Sequence, residues 1–312
     1  MRPSPSGSAR AALLLLVAAT ACGEQTPPPA PTPAVAPPPR AAGADQPYAG
    51  EARPSRGDKR SPFIIDGAAR QGDLLIGRAP SGTERLTLDG RAIPLAGDGH
   101  FLVAFDRDHE GEARLVAELG DGGTVEERIA VAARGWDLQH IDAPLRPSGS
   151  SAEFRRIRAA ELARITAARA KDAQSDGWRQ DFAWPVRGRI SGVFGSQRVY
   201  RGEPGSYHSG LDIAPGAGAV VVAPADGVVV LASPPPFSLE GNLVMIDHGM
   251  GLNSAFLHLA TVAVREGERV RRGARIGTVG ATGRATGPHL HWSMKWRDAR
   301  IDPLPLVEGE GQ

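Results

Sequence analysis

The chain has 312 residues, 41% of them apolar and 23% charged, with 36 basic residues against 35 acidic ones. That length holds one large domain or two modest ones plus tails, and a net charge of +1 excludes a global field that recruits nucleic acid or anionic lipid. A single cysteine, Cys22, excludes an internal disulfide framework and a multi-cysteine metal site, so any metal must be held by His, Asp or Glu.

Residues 1–22 read as an export signal. Arg2 and Arg10 precede the apolar run Ala11-Ala12-Leu13-Leu14-Leu15-Leu16-Val17-Ala18-Ala19, and the first acidic residue is Glu24. The run is too short to span a bilayer permanently. It ends in Ala19-Thr20-Ala21-Cys22, which resembles a bacterial lipoprotein lipobox, although Ala19 stands where that family usually has Leu. The resemblance implies a lipid anchor at Cys22. Gly23 after the cysteine implies the outer membrane, by similarity to enterobacterial sorting. The alternative is a secretory signal cut by ordinary signal peptidase; either way an exported, periplasmic protein is expected. Residues 23–60 contain Pro27-Pro28-Pro29, Pro31, Pro33, Pro37-Pro38-Pro39, Pro47 and Pro54, with almost no apolar periodicity. Such a segment buries no core and reads as a disordered, semi-stiff spacer.

Residues 61–145 show short alternating apolar runs, among them Phe101-Leu102-Val103-Ala104-Phe105, punctuated by Asp89-Gly90, Asp98-Gly99 and Asp121-Gly122. Asp-Gly between such runs favours tight hairpins, because both residues tolerate positive φ. A small β-sandwich-like module is expected. Residues 150–174 read as a connecting helix, with Ser150 and Glu153 as a capping box and Phe154, Ile157, Leu162 and Ile165 as its apolar stripe. Its arginines read as a solvated face. Residues 182–306 are β-rich again, with strands expected near 219–223, 227–231, 243–246, 275–279 and 289–292, and turns at Pro224–Gly227 and Asp247–Gly249. No phosphate loop, dinucleotide fingerprint or Gly-x-Ser-x-Gly elbow occurs.

Five of the eight histidines lie between His208 and His291. In extended chain, residues four apart share a face, so His208 and Asp212 can converge. His289 and His291, two apart, leave one face of a strand together. His258 stands two residues from Phe256, on the face of that ring. Two His and one Asp supply three ligands for zinc and leave a fourth position for water, the pattern of catalytic rather than structural zinc. Zinc brings that water close to neutral pKa. No His-Glu-x-x-His helix is present, so spare histidines would replace the usual glutamate base.

These residues sit in motifs that resemble the lysostaphin-type (LytM-like) murein metallopeptidases. The matching stretches are Ser191–Arg198, His208-Ser209-Gly210-Leu211-Asp212, Gly241–Gly249, His258-Leu259 and Gly280–His291, over roughly residues 185–297. The resemblance implies a mainly β fold, an antiparallel β-sheet groove with zinc on its floor. It implies one zinc held by His208, Asp212 and His291, with His258 and His289 as catalytic histidines whose individual roles stay open. Gly287-Pro288 would set the approach to the His289 strand. Arg198 would shape the groove or serve as a structural ion-pair partner. Tyr200 and Tyr207 would be candidate hydroxyl donors, and His248 would be structural. The implied activity is endopeptidase cleavage of peptidoglycan cross-links, at D-alanyl–meso-diaminopimelate in a Gram-negative setting. Some relatives lose ligands and activate other hydrolases, so a non-catalytic murein-binding or activating scaffold is the alternative. All three ligand positions and both catalytic histidines are kept here.

Overall fold

The computed structural model describes residues 62–145 and 151–307. The export signal, Cys22 and the Pro-rich spacer lie outside the described residues.

The first strands form two small antiparallel sheets. One has the order Ile64–Ile65, Leu74–Arg78, His100–Ala104; the other Arg91–Ala92, Thr83–Leu88, Glu112–Leu119, Thr124–Ala130. Alternation decides what each strand buries: in Glu112–Leu119 every second residue, from Ala113 to Leu119, faces the core. Phe101 and Phe105 fill that core together with Leu86 and Leu115. Of the three Asp-Gly pairs, only Asp89-Gly90 takes positive φ at both residues, 49° and 75°. It makes the two-residue hairpin between Thr83–Leu88 and Arg91–Ala92. At the other two, only the glycine is left-handed.

The helix runs Ala152–Arg169. Its N-cap is Ser151, whose hydroxyl accepts from the Phe154 backbone at 3.1 Å. That shifts the expected cap by one residue and puts Phe154 at the third helical position, so no capping box forms. Glu153 pairs with Arg156 instead. The expected apolar stripe is not the buried face, because Ile157 and Leu162 are 43% and 47% exposed. The helix buries Ala168 and part of Ile165 against Leu231, Met245 and Ala255. It is clamped at its middle: Arg158 makes two 2.6 Å bonds to the Glu240 carboxylate, and the Ser238 hydroxyl donates to Glu161 at 2.6 Å. Arg158 is therefore no part of a solvated face.

The C-terminal part is built on a ten-stranded antiparallel sheet. Its main path runs Arg269–Val270, Gly227–Ala232, Asn242–Gly249, Leu252–Val262, Leu290–Trp296, Leu211–Ala214, Arg189–Gly192. Leu211, Ile213, Phe256 and Trp292 are fully buried beneath it. Asp247 and His248, expected in a turn, belong to strand Asn242–Gly249. The turn comes one step later, where Gly249, Met250 and Gly251 all have positive φ. The region after Phe194 is also more regular than its glycines suggest. Gln197–Tyr200 and Glu203–Tyr207 form a hairpin, and Leu138–Ile141 pairs in parallel with its first strand.

Candidate active site and metal centre

Register places the two central groups. Leu211–Ala214 pairs with Leu290–Trp296 so that Asp212 lies directly opposite His291. Cross-strand partners share a face, so the carboxylate and the imidazole meet while Leu211, Ile213, Leu290 and Trp292 point into the core. His208 reaches the same point from the loop before the strand. A side chain at Gly210 would put its Cβ 2.6 Å from the Trp292 carbonyl and 2.8 Å from His291 Nε2, so only glycine lets the chain pass.

The three groups converge. Asp212 Oδ1 lies 2.8 Å from His291 Nδ1 and 3.0 Å from His208 Nε2, and the two nitrogens are 3.1 Å apart. His208 Nδ1 donates to the Val193 carbonyl at 3.0 Å. With that proton committed, a neutral His208 turns the lone pair of Nε2 toward a carboxylate and another imidazole nitrogen. Acceptors facing one another this closely need a proton or a metal cation between them, and two imidazoles with one carboxylate are a donor set that zinc takes. The residues therefore fit the metal. Burial works against the Asp212 carboxylate, but hydrogen bonds from His208 and His291 hold its pKa well below the usual range. Burial also opposes charge on His208, and the Asp212 hydrogen bond outweighs it and raises the pKa. His291 is more deeply enclosed, and burial lowers its pKa.

Two further imidazoles stand over this group. His289 sits at the start of the central strand, bridged to Gly280, and its Nδ1 bonds the Gly287 carbonyl at 2.8 Å. Its Nε2 is 3.8 Å from Asp212. His258 Nδ1 bonds the Thr282 carbonyl at 2.9 Å, and its ring centroid is 4.9 Å from that of His289. Regular alternation would have turned His258 away. Leu257 is the residue paired with His291, and Phe256 is buried in the core. A register irregularity beside His258, with φ of 64° at that residue, brings its ring to the site face. His258 therefore does not share the face of Phe256, as strict alternation predicted.

Other residues singled out in the sequence lie elsewhere. The Tyr207 hydroxyl donates to Asp106 at 2.7 Å and accepts from Arg300 at 3.1 Å. Burial first, then the Asp106 contact, pushes its pKa up to about 12. This hydroxyl is committed and no free donor. Tyr200 closes the strand Gln197–Tyr200, and among the described residues no site hydrogen bond involves it. Arg198 contacts Gln139 at 3.4 Å. His248 is fully buried between the Asp226 carbonyl and the Ser254 hydroxyl, each at 2.8 Å, and burial takes its pKa down to about 4.

Sequence reasoning missed the residues that hold His208. The loop 193–197 carries its Nδ1 acceptor, and Gly195 donates to the His208 carbonyl at 2.8 Å. Arg107, from the first β-rich part, is buried against this loop. Its Nε donates to the Gly195 carbonyl and its Nη2 to Gln197, both at 2.9 Å. Trp136 packs edge-on against Phe194 at 5.7 Å. No spacing rule links residues 107 and 136 to a histidine at 208.

Residues 206–303 match Peptidase family M23. The peptidoglycan DD-endopeptidase ShyA of Vibrio cholerae is 39% identical over 140 residues, which is 43% of this chain and 31% of ShyA. The murein hydrolase activator NlpD of Escherichia coli is 35% identical over 127 residues, 41% of this chain and 30% of NlpD. The chain thus spans about a third of the length of these curated relatives. A crystal structure of an M23 peptidase from Pseudomonas aeruginosa superposes with a TM-score of 0.61 at 29% identity, covering 77% of this chain and 96% of that one. That coverage takes the likeness beyond the family match itself. Residues 206–303 of this chain are thus a peptidase family M23 domain, of the LytM-like kind its motifs resemble.

Proposed function

We propose that the chain is a zinc-dependent endopeptidase that hydrolyses peptide cross-links of peptidoglycan, with D-alanyl–meso-diaminopimelate as the bond cut. The observation that carries this reading is the convergence of His208, Asp212 and His291 beneath a second pair of imidazoles, His258 and His289. ShyA, named for this class of activity, supports the substrate class.

A zinc ion held by His208 Nε2, Asp212 Oδ1 and His291 Nδ1 would polarise the scissile carbonyl and bring water to near-neutral pKa. The chain supplies the rest. His258 and His289 each commit Nδ1 to a backbone carbonyl, which leaves Nε2 as the free acceptor in the neutral ring. One takes a proton from the attacking water at Nε2 and later returns it to the leaving amine. The positive charge gained by the pair stabilises the developing oxyanion. The Gly287 and Thr282 carbonyls fix both rings, so little reorganisation accompanies the proton transfers.

The amino-terminal segment supports a setting for this activity. An export signal, a lipid anchor at Cys22 and a Pro-rich spacer would place residues 61–306 in the periplasm, tethered to the outer membrane within reach of the sacculus. In this reading residues 61–145 are a separate module, 150–174 its connecting helix and 182–306 the peptidase domain.

The test is digestion of purified sacculi by the protein lacking residues 1–22, comparing zinc-loaded protein, chelated protein and His291→Ala. Loss of cross-linked dimers in the zinc-loaded sample alone supports the reading, and mass spectrometry of the products names the bond. NlpD, a relative named as an activator, gives the second reading its footing. A His208→Ala variant that retains full function would favour that reading and overturn the enzyme.

A further inference from the structure

The strand that carries His289 and His291 continues past the metal centre. Along Leu290–Trp296, Leu290, Trp292, Met294 and Trp296 are buried, while His291, Ser293 and Lys295 alternate with them on the opposite, half-exposed face. No register shift interrupts its pairing with Leu252–Val262, so Lys295 shares the face of His291. Four residues at about 3.3 Å each put it roughly 13 Å away along the same floor.

Lys295 lines a cavity of about 1040 Å³ between the helix, the turn at Met250-Gly251 and the loop Pro94–Gly97. Arg169, the last residue of the helix, and Arg297 line it too. Neither Arg169 nor Lys295 has an ion pair among the described residues, and Arg169 Nε is buried with no acceptor. The acidic groups on the same wall also have other partners, Asp176 with Arg179, Asp298 with Arg91 and Asp172 with the Gln174 backbone, while Asp298 acts on Lys295 as well. Arg300 lies opposite Lys295 on the neighbouring strand and adds a like charge. Asp298 and Asp106 offset part of the charge at Lys295, and Glu240 part of that at Arg169, but the positive neighbours weigh more. Burial first, then the neighbouring positive charge, lowers the pKa of Arg169 and of Lys295. Part-buried cations in such a surplus are costly, and an anion relieves them.

We propose that Arg169 and Lys295, with Arg297 at the rim, form a carboxylate-binding subsite that takes an acidic group of an extended peptide about four residues from the bond cut. The peptide source rests on the endopeptidase reading; the site itself does not.

The experiment is calorimetry on the zinc-loaded protein with a synthetic, uncross-linked stem peptide bearing free carboxylates and with its fully amidated counterpart. Wild type is expected to bind the acid at least tenfold more tightly than the amide. Lys295→Gln and Arg169→Gln should each bind the acid as weakly as the amide, and Lys295→Arg should restore the preference. With cross-linked substrate, kcat/KM of Lys295→Gln should fall through KM. Equal binding of acid and amide by wild type overturns the proposal, as does a variant that weakens both peptides alike. A preference that emerges only after removal of residues 308–312, with Glu308 and Glu310, assigns the cavity to the chain's own tail and also overturns it. Retained preference without any cleavage of sacculi refutes the endopeptidase reading and leaves the subsite standing.

Discussion

Asp212 and His291 are held differently from His208 and His258. The first two face each other across regular, paired strands whose opposite sides are anchored by Leu211, Ile213, Leu290 and Trp292. His208 hangs on a loop gripped from the side by Arg107 and Trp136, and His258 is turned by a bulge with left-handed backbone. A ligand fixed by sheet register is insensitive to distant change, whereas one fixed by a loop inherits the stability of whatever holds that loop.

That contrast can be broken at three places. His291→Ala removes a strand-held ligand and should abolish zinc binding and reduce cleavage to background, read by metal content and muropeptide release. His258→Asn keeps a residue that tolerates positive φ but removes the imidazole. It should lower kcat by about 10²–10⁴-fold while one zinc per chain remains. Retained activity in that variant would assign the proton transfers to His289 alone. Arg107→Ala touches no ligand, yet should weaken zinc binding by about 10–100-fold in competition with a chromophoric chelator. Unchanged affinity would show that the loop 193–197 holds His208 without help from the first β-rich part.

The smallest effect concerns stability. His248 titrates at about 4 when folded, against an ordinary 6.5. Between those values the unfolded chain binds a proton that the folded chain does not. Stability therefore rises with pH across this window and is lost as pH falls from 6.5 toward 4, by about 3 kcal/mol at most. Thermal unfolding in chelator, so that metal loss does not contribute, should show this slope in wild type and a flatter one in His248→Gln.

The same contrast explains what the sequence makes legible. Period-two alternation puts His289 and His291 on one face, because that needs only local extended chain, whereas His208 meets Asp212 from a loop and not along one strand as its four-residue spacing suggested. His258 is misplaced by the same rule, since a bulge changes the face without changing the residues around it. The fold class is readable from strand patterns and Asp-Gly turns. The helix cap and its buried face are not, because tertiary ion pairs at Arg158 and Glu161 decide which side packs. Arg107, Trp136 and Asp106 act across separations that no periodicity spans. Tyr207 looks available in sequence and is tied to Asp106 in space.

The most direct measurement is sacculus digestion by zinc-loaded wild type beside zinc-loaded His289→Ala, which keeps all three ligands. The account predicts that both bind one zinc per chain and that only wild type releases uncross-linked muropeptides. Equal cleavage by both, or none by wild type with zinc bound, would contradict a site in which this constellation performs peptide hydrolysis.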